Sequence, residues 1–179
     1  MPTIFTHAIV PLALAAAAGR GFITPRIAFT GALVSMLPDA DVIGFKFGIE
    51  YADAWGHRGA THSLVFAGLC AGVIALIWKE ARSLEGWLFL ALSMASHGLL
   101  DMLTDGGLGA ALWWPFSDAR IFASETPIRV SPIGAGFFSM RGLETLLSEV
   151  RWIWLPCLAL ASVGWLARRA ARSRIRPQN

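Results

Sequence analysis

The sequence predicts an all-α integral membrane protein, a single helical bundle of about five spans. Three observations predict it. Of 179 residues, 55% are hydrophobic and only 15% are charged, where a soluble domain carries about a quarter charged residues. Mean hydropathy is +0.57. The apolar residues fall into five segments, and the chain closes on a basic stretch, Arg168-Arg169-Ala170-Ala171-Arg172-Ser173-Arg174-Ile175-Arg176. The domain reading is one membrane-embedded unit, residues 1–167, followed by a basic cytoplasmic tail, 168–179. Much of the formal charge of +3 lies in that tail, which suits a cytoplasmic anchor facing anionic lipid and does not suggest a nucleic-acid binder.

The first segment runs from about Thr6 to Gly19. No positive region precedes it, so it reads as a retained helix and not as a cleaved signal. The second runs from about Ile27 to Leu37 and stops at Pro38. Both are shorter than the roughly 20 apolar residues that cross a bilayer unaided, and they reach across by tilting, by thinning the bilayer or by burial among neighbours. A polar loop follows, Asp39 to Thr61. The third segment, Ser63 to Trp78, has Thr61 or Ser63 as its cap and ends at Lys79-Glu80. The fourth spans Trp87 to about Leu103. A long connection, Asp105 to about Glu149, is rich in Gly, Pro and aromatics, including Trp113-Trp114-Pro115-Phe116 and Phe137-Phe138. That density suits a segment lying at headgroup depth or folded back over a site. The fifth segment is Trp152 to Ala167. Cys70 and Cys157 lie within apolar stretches, where they behave as small hydrophobes.

Topology gives the histidines a meaning. With the arginine-rich end in the cytoplasm, five alternating spans place the connections Arg20–Arg26 and Lys79–Glu85 on the cytoplasmic side. The N-terminus, the Asp39–Thr61 loop and the long connection then lie outside. The chain has four histidines. His7 begins the first segment, His57 and His62 precede the third, and His97 closes the fourth. All land on the non-cytoplasmic face, together with Asp39, Asp41 and Asp101. This convergence depends on the number of spans and not on which side is which.

His97 and Asp101 are four apart on a helix, share one face and can reach one ion. His57 and His62 are five apart and do not align on a helix, but Gly56 and Gly59 let a loop bring them together. Three or four histidines with two or three carboxylates suit a divalent metal, Zn²⁺ first, as one to three ions with an open position for water. Such a site makes hydroxide available near neutral pH. His57, His62, His97 and Asp101 lead the ligand set, with His7, Asp39 and Asp41 next. Asp39 or Asp41 is alternatively the group that orients or deprotonates water. Arg58 reads either as an interfacial cation or as a contact for a phosphate charge. Ionisable groups in membrane helices cost about 2.5–3.5 kcal/mol each on insertion scales, which favours a functional reading.

The elements Pro38-Asp39-Ala40-Asp41, His57-Arg58-Gly59-Ala60-Thr61-His62-Ser63, His97-Gly98-Leu99-Leu100-Asp101-Met102-Leu103-Thr104 and Trp114-Pro115-Phe116, in that order, resemble the bacterial YdjM-like proteins. The resemblance covers roughly His7 to Phe116. It implies a LexA-regulated, inner-membrane protein with an inferred metal-dependent hydrolase activity. It also implies a distant similarity to zinc-dependent phospholipase C and the P1-type nucleases, all-helical enzymes with clustered zinc. Their HxxxD helix, whose aspartate ligates zinc, resembles His97 to Asp101. Their upstream aspartate and following histidine resemble Asp39 or Asp41 followed by His57. Their N-terminal tryptophan ligand has no counterpart beside Met1.

The expectation is therefore a multi-pass inner-membrane hydrolase of a phospholipid or lipid-linked phosphoester, its site facing the periplasm. The alternative is a non-enzymatic metal-binding protein for transport or sensing. No mid-membrane polar pathway runs through the first, third and fifth segments, which weighs against transport.

Overall fold

In the computed structural model, which describes residues 1–132 and 134–175, the chain is helical throughout its apolar segments. These are α1 (Ile4–Ala18), α2 (Pro25–Met36), α3 (Leu64–Ile77), α4 (Leu84–Met102), α5 (Met140–Glu149) and α6 (Leu155–Ile175). A 3₁₀ stretch, Leu37–Phe47, prolongs α2, and a π-helical turn, Val150–Trp154, joins α5 to α6. The described residues form no strand, only two isolated β-bridges.

Local chemistry sets the helix ends. Thr24 and Pro25 open α2, with the Thr24 hydroxyl accepting from the Ile27 amide. Ser63 accepts from the Phe66 amide at 3.0 Å and Ser83 from the Gly86 amide at 3.0 Å, capping α3 and α4. Gly19 ends α1 at φ 83°, a left-handed conformation that favours glycine, and returns its amide to the Ala15 carbonyl.

Helix α4 packs between α2 and α3, while α1 packs between α2 and α6 and also touches α4. Ile27, Val34, Ala67, Ala71, Phe89, Leu90 and Met94 form the apolar core. Small residues set the spacing. A Cβ on Gly164 of α6 would stand 2.6 Å from the Ala17 backbone of α1, and one on Gly31 of α2 would stand 2.4 Å from the Phe89 ring. Leu69, Leu76, Ile77, Leu158 and Val163 point outward and are mostly exposed, a belt that belongs against lipid.

All five expected segments are helical, but they differ in reach. Two continuous helices are long and apolar enough to cross a bilayer, Pro25–Phe47 with 23 residues and Met140–Ser173 with 34. Ile4–Ala18 and Leu64–Ile77 are apolar but shorter. Helix α4 is 19 residues long and carries Ser93, Ser96, His97 and Asp101 among its buried residues. The last helix starts earlier than its apolar run suggests, because Leu143, Leu146 and Leu147 already follow helical spacing. The basic stretch from Arg168 is helical through Ile175, and the rest of the expected tail, 176–179, lies outside the described residues.

Glu149 ties this long helix to the chain start. It is fully buried, and its carboxylate accepts from the Thr3 amide at 2.5 Å and from the Thr3 and Thr6 hydroxyls at 2.7 Å each. Trp154 Nε1 donates to the Thr6 hydroxyl at 2.9 Å. The spacing at Gly164 predicts that Gly164→Val destabilises the fold by about 1–3 kcal/mol through overpacking. Gly21, whose Cβ would meet open space, tolerates alanine. Thermal unfolding of the detergent-solubilised variants measures both.

Candidate metal centre

Four elements bring the predicted residues to one end of the bundle. Helix α1 presents His7, the 3₁₀ stretch after α2 presents Asp39 and Asp41, the loop before α3 presents His57, Arg58 and His62, and α4 presents His97 and Asp101. Helix α2 ends at Met36, and Pro38 sits in the first turn of the 3₁₀ stretch, which swings Asp39 inward. The loop from Glu50 to Gly59 is tightly wound, since a Cβ on Gly56 or Gly59 would fall within 2.2 Å of a backbone oxygen. Arg58 holds φ 65°, a conformation unusual for a residue with a side chain. Gly98 lets this loop touch α4, because a Cβ there would stand 2.4 Å from the His62 carbonyl oxygen.

Within the cluster, His97 Nε2 lies 3.2 Å from Asp39 Oδ1 and 4.0 Å from Asp101 Oδ2. His62 Nε2 lies 3.3 Å from Asp101 Oδ2 and 3.9 Å from Asp39 Oδ1. Ligand atoms of these four residues all fall within 4.8 Å of one another, and all four residues are buried. A tetrahedral site with bonds of about 2.0–2.1 Å separates its ligand atoms by roughly 3.3 Å, so the spacing fits a metal ion. His7 lies beside the group, stacked on His97 with ring centres 3.6 Å apart, its Nε2 3.8 Å from Asp101 Oδ1.

Supporting bonds turn the rings. His97 Nδ1 donates to the Ser35 carbonyl at 2.7 Å, leaving Nε2 as a lone pair aimed into the cluster. His62 Nδ1 faces the Thr61 hydroxyl at 3.0 Å and Asp41 Oδ2 at 3.3 Å, which likewise frees its Nε2. Asp41 is fully engaged. It accepts from His57 Nδ1 at 2.7 Å, the Arg58 amide at 3.2 Å and the Thr61 hydroxyl at 2.8 Å. Asp41 and His57 form a second group with His62 and stand behind the first. The carboxylate and histidine that the sequence offers twice are thus divided between a buried cluster and its support.

Arg58 is also committed. It is 1% exposed, its Nε lies 3.1 Å from Asp101 Oδ2, and its Nη atoms donate to the Gly106 carbonyl and the Thr104 hydroxyl. Its place is against Asp101, inside the protein. Arg120, which sequence reasoning passed over, donates to the carbonyls of His57, Tyr51 and Asp53 at 2.6–2.9 Å and pins the histidine loop. Arg129 pairs with Asp105 at 2.8 Å. Three arginines of the expected outer face therefore have internal partners. The long connection folds back over this end. The Ala111 amide donates to the Arg58 carbonyl, the Leu64 amide to the Leu112 carbonyl and the Ser131 amide to the Met1 carbonyl.

Electrostatically the cluster is acidic: the Arg58 guanidinium faces Asp101, and without a metal the remaining positive charge comes from His62, set between Asp41 and Asp101. Burial lowers the His62 pKa, but the carboxylates of Asp101 and Asp41 outweigh it and hold the value up at about 9. The chain matches the model of the YdjM inner membrane protein family over residues 1–171. It belongs to that family. The inner membrane protein YbcI of Escherichia coli K12 is 44% identical over 173 residues, covering 94% of this chain and all of that protein. No solved structure matches. This YdjM-family chain is thus an inner-membrane protein with a buried His/Asp cluster that could bind metal.

Removing one partner of a buried ion pair strands the other, at about 3–5 kcal/mol. Arg58→Met is therefore expected to destabilise the metal-free protein by that order, read as a lowered unfolding midpoint in detergent. The double variant Arg58→Met/Asp101→Leu recovers much of the loss.

Proposed function

We propose that this protein is a metal-dependent hydrolase of the inner membrane that cleaves a phosphoester in a phospholipid or lipid-linked headgroup. One observation carries the reading. Among the described residues, nine buried side-chain polar atoms have no hydrogen-bond partner, and all belong to this cluster: both ring nitrogens of His7, both oxygens of Asp39 and of Asp101, and Arg58 Nε, His62 Nε2 and His97 Nε2. Orphaned buried polar atoms each cost on the order of 1–3 kcal/mol, so such a concentration supports a site built to hold an ion. Asp39, His62, His97 and Asp101 would hold a first ion, with His7 available for a second. The nitrogen and oxygen donors suit Zn²⁺ foremost.

A divalent ion bound there supplies a Lewis acid for the phosphoryl group and a nucleophile from water near neutral pH. The chain's own residues do the rest. Asp41 orients His62 through Nδ1, and Arg58 holds Asp101 in place. Asp39 turns Oδ1 to the ligand cluster, leaves Oδ2 without a hydrogen bond, and also lines a cleft of about 360 Å³ walled by Ile4, Phe5, Val42, Phe45 and Phe137. It is therefore the group placed to take a proton from water as a substrate enters. A mostly apolar cleft that opens beside the cluster favours a substrate with an acyl or prenyl chain. The same reading takes the bundle to span the membrane five times with the site at its periplasmic face, and takes the kinship with zinc-dependent phospholipase C to be a distant one.

The test is metal content of the purified protein together with hydrolysis of phospholipids and lipid-linked phosphoesters. Wild type is expected to carry at least one equivalent of divalent metal and to turn over substrate, and His97→Ala and Asp101→Ala to lose both. Metal without turnover on any such substrate would leave the non-enzymatic reading, and no stoichiometric metal after reconstitution with zinc, manganese or iron would sink the proposal. Asp41→Asn keeps the ligands but loses their support, and is expected to weaken metal affinity about 10–100-fold, measured by competition with a chromogenic chelator.

A further inference from the structure

The end of the bundle remote from the histidines holds a second feature. Between α1, α2 and α6 lies a cavity of about 570 Å³ lined by Arg20, Arg168, Arg169 and Arg172 and by apolar side chains that include Leu12 and Trp165. His7 and Ala18 are on the order of 16 Å apart along α1 at its helical rise, so this cavity and the His/Asp cluster sit at opposite ends of the same helix.

The four arginines have different duties. Arg168 donates to the Ala16 carbonyl at 2.6 Å and to the Ala17 carbonyl, satisfying the exposed end of α1. Arg169 lies over the Trp165 ring at 5.3 Å. Arg20, Arg169 and Arg172 have no carboxylate partner among the described residues, and no acid lines the cavity. Arg168 and Arg172 are one turn apart and share a helix face. The cavity therefore combines a cationic mouth with an apolar wall that runs back along α1 to Leu12. Water-soluble anions need only the first. A phosphate carried on an acyl chain uses both.

We propose that this cavity binds an anionic phospholipid, its headgroup phosphate held by Arg20, Arg169 and Arg172 and its acyl chain lying along Leu12 and Trp165. Guanidinium forks suit phosphate oxygens, and juxtamembrane arginines favour anionic lipid additively. The site is independent of the hydrolase reading, because none of its residues touches the His/Asp cluster.

The experiment is native mass spectrometry of the full chain in detergent, titrated with dioleoylphosphatidylglycerol, with dioleoylphosphatidylcholine and with inorganic phosphate. The variant is Arg20→Gln/Arg169→Gln/Arg172→Gln, which spares Arg168 and its hold on α1. Wild type is expected to bind phosphatidylglycerol at least about ten-fold more tightly than phosphatidylcholine, and the variant to lose that preference. Equal affinity of the wild type for the two lipids overturns the proposal, whatever the variant does. A variant that keeps the wild-type preference overturns it too. Competition of phosphatidylglycerol by millimolar inorganic phosphate would assign the cavity to a soluble anion and also overturn it. An unchanged thermal unfolding midpoint in detergent serves as the check that the variant is folded.

Discussion

Two carboxylates held away from water, with none of their four oxygens hydrogen bonded, are the constraint on which this structure rests. Asp39 is 4% exposed and Asp101 is fully buried. Charges in such surroundings persist only beside opposite charge, and the nearest fixed cation is the buried Arg58. Much else serves that arrangement. The 3₁₀ stretch turns Asp39 inward, the glycine-rich loop brings His62 and Arg58 against α4, and Arg120 staples the loop. The long connection then closes over the same end. An apolar bundle would need none of these devices; here each bears on a buried His/Asp cluster that could hold an ion.

How much of this could be read from sequence depended on how local the signal was. The helical segments were legible because apolar runs and their caps, such as Ser63 and Ser83, are local. The gathering of His7, His62, His97, Asp39 and Asp101 was legible too, since the ends of successive antiparallel helices alternate between the two ends of a bundle. The division of labour among those residues was not. Asp39 and Asp41 differ by two positions, yet one enters the cluster and the other props up His57 and His62. That choice is made by the turn of the 3₁₀ stretch, which leaves no mark in composition. Arg58 offered two readings as a charge in a polar loop, and only its burial against Asp101 shows where it acts. Glu149 was hidden more thoroughly. It lies at the end of a mixed segment, and its partners are Thr3 and Thr6, more than 140 residues away in the chain.

The two ends of the bundle are chemically opposite. One concentrates buried carboxylates and imidazoles under a folded cover; the other gathers arginines around an open cavity. Helix α1 joins them, with His7 in its second turn and Arg168 closing its last. The same helix thus reaches both ends, and it packs closely against α6 at Gly164.

The bond from Glu149 to the chain start also has a consequence for how the protein is made. Thr3 and Glu149 are separated by 146 residues, so at synthesis rates of about 5–20 residues per second the anchor emerges roughly 7–30 s after the helix it secures. Until then the beginning of α1 lacks the buried carboxylate that gathers Thr3 and Thr6. His7 follows directly on Thr6, so the first histidine to leave the ribosome sits beside a tie that only a late part of the chain supplies. A chain cut before Glu149 carries every histidine but not that tie.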